Sequence, residues 1–226
     1  MNRLRRPVLI AILLTGIVMA LWPAGEQVYG WWNQRALQAA WHDMANDATS
    51  SRTVKEVALS STAGNIQHST VASLTHKKPA KQAHAKAPSI PKPRTWVPTK
   101  ISIPDINLDA VVVQGIEPAM LRQGPGHDPA SALPGEKGNC VIAAHRNAYG
   151  WWFYGLSKLE LDSLVRLKTP RETLTYRVVL TRVVKEDDLS VLQQTEYPRL
   201  TLYTCTLPKS DQRVVVVAHL VARQPS

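Results

Sequence analysis

Thr201-Leu202-Tyr203-Thr204-Cys205 is followed, eight residues after the thiol, by Arg213-Val214-Val215-Val216-Val217-Ala218. Both runs are short, apolar and rich in β-branched residues, and Pro208-Lys209-Ser210-Asp211 between them is turn-forming. They read as two strands, the first ending on a thiol and the second beginning on a guanidinium. A third run, Cys140-Val141-Ile142-Ala143-Ala144, ends on His145. A thiolate is a nucleophile, an imidazole moves protons near neutral pH, and a guanidinium is a permanently charged donor for a developing oxyanion. These are the residue types of an acyl-transfer site.

The same texture extends over residues 96–226. Candidate strands are Thr99–Ile103, Ala110–Gln114, Cys140–Ala144, Leu164–Leu167, Leu174–Lys185, Leu200–Tyr203 and Val214–Leu220. Asp105-Ile106-Asn107 and Pro134-Gly135 punctuate them, and only Glu117–Leu121 and Phe153–Leu159 read as short helical turns. Short, regularly broken strands over this length predict an all-β fold, a closed or nearly closed barrel, with a sandwich as the competing architecture.

The formal charge of +10 is unevenly placed. Residues 1–23 carry three arginines and no acid, and residues 51–95 carry eight Lys/Arg against one Glu. Residues 96–226 carry 15 against 13, a net of +2. Basicity outside the fold, with no finger or phosphate-binding loop, argues against a nucleic-acid partner. Two cysteines do not make a disulfide scaffold. On a strand running from Cys140 to His145 the two residues stand about 16 Å apart at roughly 3.3 Å per residue, so a Cys205 beside His145 is out of reach of Cys140. Cys140 reads as a small buried hydrophobe.

Val8 to Trp22 is apolar apart from Thr15 and Gly16, with Arg3, Arg5 and Arg6 before it and Trp22, Trp31 and Trp32 suited to an interfacial belt. This predicts a retained single-pass transmembrane anchor in the cytoplasmic (inner) membrane, with cleavage near Ala24 as the alternative. The amino terminus would be cytoplasmic and the bulk of the chain periplasmic or extracytoplasmic, with membrane lipid as a partner. From Trp31 to Met44, the spacing of Leu37, Ala40, Trp41 and Met44 predicts an amphipathic helix, lying on the membrane or packed on the domain. Asn46 to Thr95 is dominated by Ser, Thr, Ala, Lys, His and Pro and predicts a flexible linker. The organisation expected is therefore a tail and anchor over 1–30, a juxtamembrane helix over 31–45, a basic disordered linker over 46–95 and a catalytic domain over 96–226.

In chain order, Ile101-Ser102-Ile103-Pro104, Gly124-Pro125-Gly126-His127, Pro134-Gly135-Glu136-Lys137-Gly138-Asn139, Ile142-Ala143-Ala144-His145-Arg146, Thr201–Cys205 and Arg213–Ala218 resemble the sortase family of membrane-anchored cysteine transpeptidases. The resemblance covers residues 98–220. It is most like the sortases of Gram-negative proteobacteria, which usually serve one dedicated substrate. Two departures are Ala143-Ala144-His145, where the family commonly has Ala-Gly-His, and Leu161-Asp162, where it has Gly-Asp.

The resemblance implies an eight-stranded sortase-like barrel with short helices. It implies Cys205 as nucleophile, His145 as general acid and base, and Arg213 as stabiliser of oxyanion and substrate, with Thr204 in support. Arg146 adjoins His145 and competes with Arg213, but strand alternation points it to the other face. The donor would be a protein with a carboxy-terminal Leu-Pro-x-Thr-Gly-like sorting signal, cut between Thr and Gly, and the acyl group would pass to an amine. Asp187–Pro198 and Pro118–Ala132 are candidate groove walls. Tyr149, Trp151, Trp152 and Phe153 either bind substrate or pack a short helix. No cofactor or metal is implied; Glu186-Asp187-Asp188 is the one local acid cluster, and Glu117, Asp128, Asp187 and Asp188 read as solvent-facing acids. A cysteine peptidase that gives the thioester to water and a non-catalytic peptide-binding barrel are the alternatives.

Overall fold

The computed structural model describes residues 12–17, 25–46, 95–205 and 211–226. Eight strands form the domain: β1 Thr99–Ile103, β2 Leu108–Gln114, β3 Gly126–His127, β4 Gly138–Ala143, β5 Leu164–Lys168, β6 Glu172–Lys185, β7 Pro198–Cys205 and β8 Gln212–Pro225. They close in the order β1-β2-β3-β4-β7-β8-β6-β5, with Ile101 of β1 opposite Leu167 of β5 at the closure. Closure removes the sandwich from consideration.

Alternation along the strands builds the core. Ile101, Ile103, Val165, Leu167, Leu174 and Tyr176 point inward and are fully buried. β4 is buried on both faces. Its inner residues Cys140 and Ile142 join the core, while its outer side is covered by the segments around Ser131 and Val191, where the Val141 N–H donates to Ser131 Oγ at 3.0 Å and Asn139 Nδ2 donates to the Val191 carbonyl at 3.0 Å. β8 likewise divides its residues: Val214, Val216 and Ala218 face the core, and Val215 and Val217 form a second, outer cluster with Val184 and Val191.

The strand absent from the sequence reading is β3. It has two residues, pairs parallel to β2 and antiparallel to β4, and carries no periodicity that a sequence could display. Its His127 is fully buried, stacks on Trp96 with ring centroids 4.6 Å apart, and has Nε2 2.9 Å from the Ala132 carbonyl. Burial holds its pKa below the usual 6.5, against the opposing effects of the Ala132 bond and Asp128. The unfolded chain therefore binds a proton that the folded chain refuses. The contribution of neutral His127 is present above pH 6.5 and is lost as pH falls towards the folded value. Urea unfolding near pH 7.5 and near pH 5 should show this loss, and His127→Gln should flatten the slope; equal slopes would remove His127 as its source.

A long helix, α1, spans residues 25–46. Its buried residues are Gly30, Gln34 and Trp41; of the expected Leu37-Ala40-Trp41-Met44 face, Trp41 is buried and Leu37 half-buried, while Ala40 and Met44 are exposed. Gln34 explains the choice. β3 reaches β2 only from Val113 onward, so the edge of β2 at Val111 has no strand beside it. The Gln34 amide fills that place: Oε1 accepts from the Val111 N–H at 2.8 Å, and Nε2 donates to the Val111 and Gln123 carbonyls at 2.9 Å each. A primary amide has the donor and acceptor of a peptide group, and it satisfies backbone groups that are costly to bury unpaired.

The expected transmembrane anchor is corrected here. Among the described residues no helix is long and apolar enough to cross a membrane. Residues 12–17, the described part of the apolar run, are helical. α1 has the length but carries Glu26, Arg35 and Asp43 among many polar residues. The single-pass topology, the lipid partner, and the placement of a cytoplasmic amino terminus and a periplasmic catalytic domain rested on that span and fall with it. The rest of the anchor segment, residues 1–11 and 18–24, and residues 47–94 of the expected linker lie outside the described residues.

Candidate active site

β4 and β7 run parallel, with Ala143 opposite Tyr203. Just beyond that pair the Ala144 N–H donates to the Tyr203 carbonyl at 3.3 Å, and the buried Thr204 hydroxyl donates to the Ala144 carbonyl at 2.7 Å. The next residues, His145 and Cys205, therefore leave neighbouring strands at the same end of the barrel. On the other side of β7, β8 runs antiparallel and sets Arg213 opposite Cys205. Thr204 thus stitches together the two strands that carry imidazole and thiol.

Cys205 is partly exposed at the strand end, whereas Cys140 is buried five residues deeper along the paired strands, opposite Leu200, and burial pushes its thiol far up. Both cysteines are free. The His145 ring is half-buried, with the Tyr149 ring 5.3 Å away and tilted by 49°. Its pKa lies below the usual 6.5, because of burial first and the positive Arg122 second, with Glu26 of α1 pulling the other way. Neutral imidazole is thereby favoured at neutral pH, and its conjugate acid is a stronger proton donor.

Arg213 donates to Glu186 at 2.7 Å and to the Gln212 carbonyl at 3.1 Å, and its side chain keeps 24 % of its exposure. Glu186, itself exposed, is the partner of this guanidinium. Arg146 is turned elsewhere, 6.0 Å over the Tyr154 ring. A cavity of about 280 Å³ opens beside Arg213 between β6, β8 and the 3-10 turn Leu189–Leu192, lined by Val184, Val191, Leu192, Tyr203 and Val215. Asp188 and Leu189 of the Asp187–Pro198 segment also line it, and Pro118–Ala132 does not. The turn is pinned from beneath: the Val191 carbonyl accepts from Asn139 Nδ2 and from Arg199, and Thr201 Oγ1 donates to Asn139 Oδ1 at 2.7 Å.

The aromatic cluster after His145 divides. Phe153 is in the core and Trp152 packs against it, Tyr149 faces His145, and Trp151 stacks on Tyr154 in solvent. The two departures noted in the sequence are accommodated locally: the Ala144 methyl is buried in the core, and Asp162 itself makes the left-handed turn at φ 70°, with its N–H donating to the Val178 carbonyl at 2.9 Å. Arg122, Gln27 and Gly30, which surround the His145 loop, carry no motif and lie far from it in sequence. Among the described residues no three His, Cys, Asp or Glu gather to hold a metal ion.

The closed barrel thus presents imidazole, thiol and guanidinium on three neighbouring strands, β4, β7 and β8. The family model described as Sortase domain matches residues 101–221, more than half of the chain, and the chain belongs to the sortase family. It is 34 % identical over 116 residues to sortase D of Bacillus subtilis (strain 168), covering 50 % of this chain and 57 % of that one. Among solved structures it is similar to the sortase D5 transpeptidase of Clostridium perfringens, with a TM-score of 0.52 and 29 % identity, covering 56 % of this chain and 79 % of that one. Sortase E of Streptomyces avermitilis gives a TM-score of 0.52 at 29 % identity, over 58 % of this chain and 93 % of that one. The chain spans about half the length of the curated relatives it matches.

Proposed function

We propose that this protein is a cysteine transpeptidase that cleaves a carboxy-terminal sorting signal of the Leu-Pro-x-Thr-Gly kind and transfers the acyl group to an amine. The observation that carries the reading is the strand register: parallel β4 and β7 leave His145 and Cys205 at one barrel end, and antiparallel β8 begins at Arg213 opposite the thiol. Membership of the family supports it, as does the similarity to the Clostridium perfringens sortase D5, a transpeptidase.

In this reading the Cys205 thiol gives its proton to neutral His145, and the sulfur, now a thiolate, attacks the Thr carbonyl carbon. The C–S bond forms and the carbonyl electron pair moves onto oxygen, where the Arg213 guanidinium balances the charge. The oxyanion collapses, the C–N bond to Gly breaks, and protonated His145 gives its proton to the departing amine. An incoming amine then attacks the thioester, His145 takes its proton, and the thiolate leaves. The cavity beside Arg213, with Tyr203 and the Leu189–Leu192 turn in its wall, is the groove for the peptide.

The further subtype, a sortase of the Gram-negative proteobacterial kind with one dedicated substrate, is supported by the run Gly138-Asn139-Cys140-Val141-Ile142-Ala143-Ala144-His145-Arg146. None of the relatives named above comes from a proteobacterium. Mass spectrometry of the full chain with a Leu-Pro-x-Thr-Gly peptide, with and without an added amine, tests the reaction. A thioester on Cys205 and an amide product with the amine are expected. The free acid alone, in the presence of amine, would make the protein a hydrolase, and no adduct with any peptide of this class would overturn the reading.

A further inference from the structure

The loop between His145 and the core residue Phe153 follows an unusual course. Tyr149, Gly150 and Trp151 stand in succession at φ 50°, 105° and 55°. Glycine adopts that region freely, but two bulky aromatic residues flanking it do so only where the surroundings impose it. The surroundings here are α1. The Gly150 N–H donates to Gln27 Oε1 at 2.8 Å across 123 residues of chain. Gly30, one turn further, lies against the Tyr149 backbone so closely that a Cβ on Gly30 would collide with the Tyr149 carbonyl. Beyond these contacts α1 is fastened to the barrel by Gln34, bonded to Val111, and by Trp41, which is 3 % exposed with Lys100 and Lys168 over its ring.

We propose that α1 is a strap: fastened through Gln34 and Trp41, it presses the 146–152 loop into its left-handed course and so fixes the Tyr149 ring against His145, making Gln27 and Gly30 positioning residues for the imidazole. The proposal rests on the reading of His145 as the acid and base of the transpeptidase. It requires nothing of the helix beyond residue 46, and it gives the segment before the barrel a role in the site itself. The groups that bear on the imidazole are Tyr149 from its own loop, Arg122 from the segment after the helix Pro118–Leu121, Glu26 from α1, and Cys205 with Arg213 at the adjoining strand ends. Burial is the largest of the influences that lower the His145 pKa and Glu26 acts in the opposite sense. Loosening the strap thus raises the pKa on balance.

The test follows the His145 ring resonance of the full-length protein by NMR through the imidazole range, assigned against His145→Gln, together with steady-state turnover of the sorting-signal peptide. Gly30→Val should shift the His145 midpoint upward by about half a pH unit. It should lower kcat about tenfold with KM within about twofold, the misplaced ring outweighing its larger protonated fraction. Gln27→Ala should move both readouts the same way, with kcat down about threefold. Ala39→Ser, on the solvent side of the same helix, should move neither. If Gly30→Val fails to fold, Gln27→Ala decides, since it removes one hydrogen bond and no packing against the loop. An unchanged His145 resonance and midpoint in a folded variant would overturn the strap. The NMR readout needs no turnover: variants that show the shift, with a wild-type protein that processes no sorting peptide, uphold the strap and sink the transpeptidase reading, and a wild-type protein that processes peptide, with no shift in either variant, sinks the strap alone.

Discussion

Cys205→Ala is expected to abolish both the acyl adduct and turnover while the barrel stays folded. In the proposed reaction the thiol forms the covalent intermediate, so its loss is not a weakened step but a missing one. The structure separates this chemical role from a packing role. Cys205 is the last residue of β7 and partly exposed, so replacing the thiol with a hydrogen opens no buried cavity. The bond that ties β7 to β4 belongs to Thr204, one residue earlier. Thermal unfolding should therefore stay within about 2 °C of wild type. Cys140→Ala provides the contrast: it trims a fully packed core residue and should cost stability of about 1 kcal/mol with the adduct retained. Peptide processing by Cys205→Ala at the wild-type rate would remove the nucleophile assignment outright.

Arg213→Ala is expected to lower kcat/KM by about 10²–10³, the loss seen when one donor to a developing oxyanion is removed. A structural explanation competes, because Arg213 also pairs with Glu186. Two further variants divide the cases. That ion pair is partly exposed and worth about 0–1 kcal/mol, so Glu186→Gln should leave turnover within about threefold of wild type. Arg213→Lys keeps the charge but loses the planar fork, and should recover only part of the rate. Equal losses in Arg213→Ala and Glu186→Gln would show that the guanidinium serves the fold at β8 rather than the substrate.

The strands that carry these groups were legible because each is a continuous apolar run bounded by turn residues. Cys205 faces Arg213 because β7 and β8 pair antiparallel, where the sequence shows only two apolar runs with turn-forming residues between them. The neighbourhood of His145 and Cys205 was not legible from spacing, since parallel pairing joins segments sixty residues apart and leaves no local trace; only the resemblance of the motifs brought the two together. β3 was missed because two residues cannot display a period. The seat of α1 was misjudged for a different reason. Beside Trp41, the helix is fastened by a polar side chain that substitutes for a missing strand and by a glycine whose lack of a side chain allows close approach, neither of which shows as apolar periodicity. The same apolar bias governed the amino end, where a run of hydrophobic residues was read as a span that the described helices do not provide.

The parallel pairing of β4 with β7 has a consequence for the life of the chain before it is finished. Thiol and guanidinium meet across one hairpin, a local event that needs only the last segment of the sequence. Imidazole and thiol meet only once β7 has been inserted beside β4, after every intervening strand has been made and placed. Until β7 stands beside β4, Cys205 has no His145 at its side. Reactivity arrives together with the completed barrel, so the fold acts as its own safeguard against premature acylation.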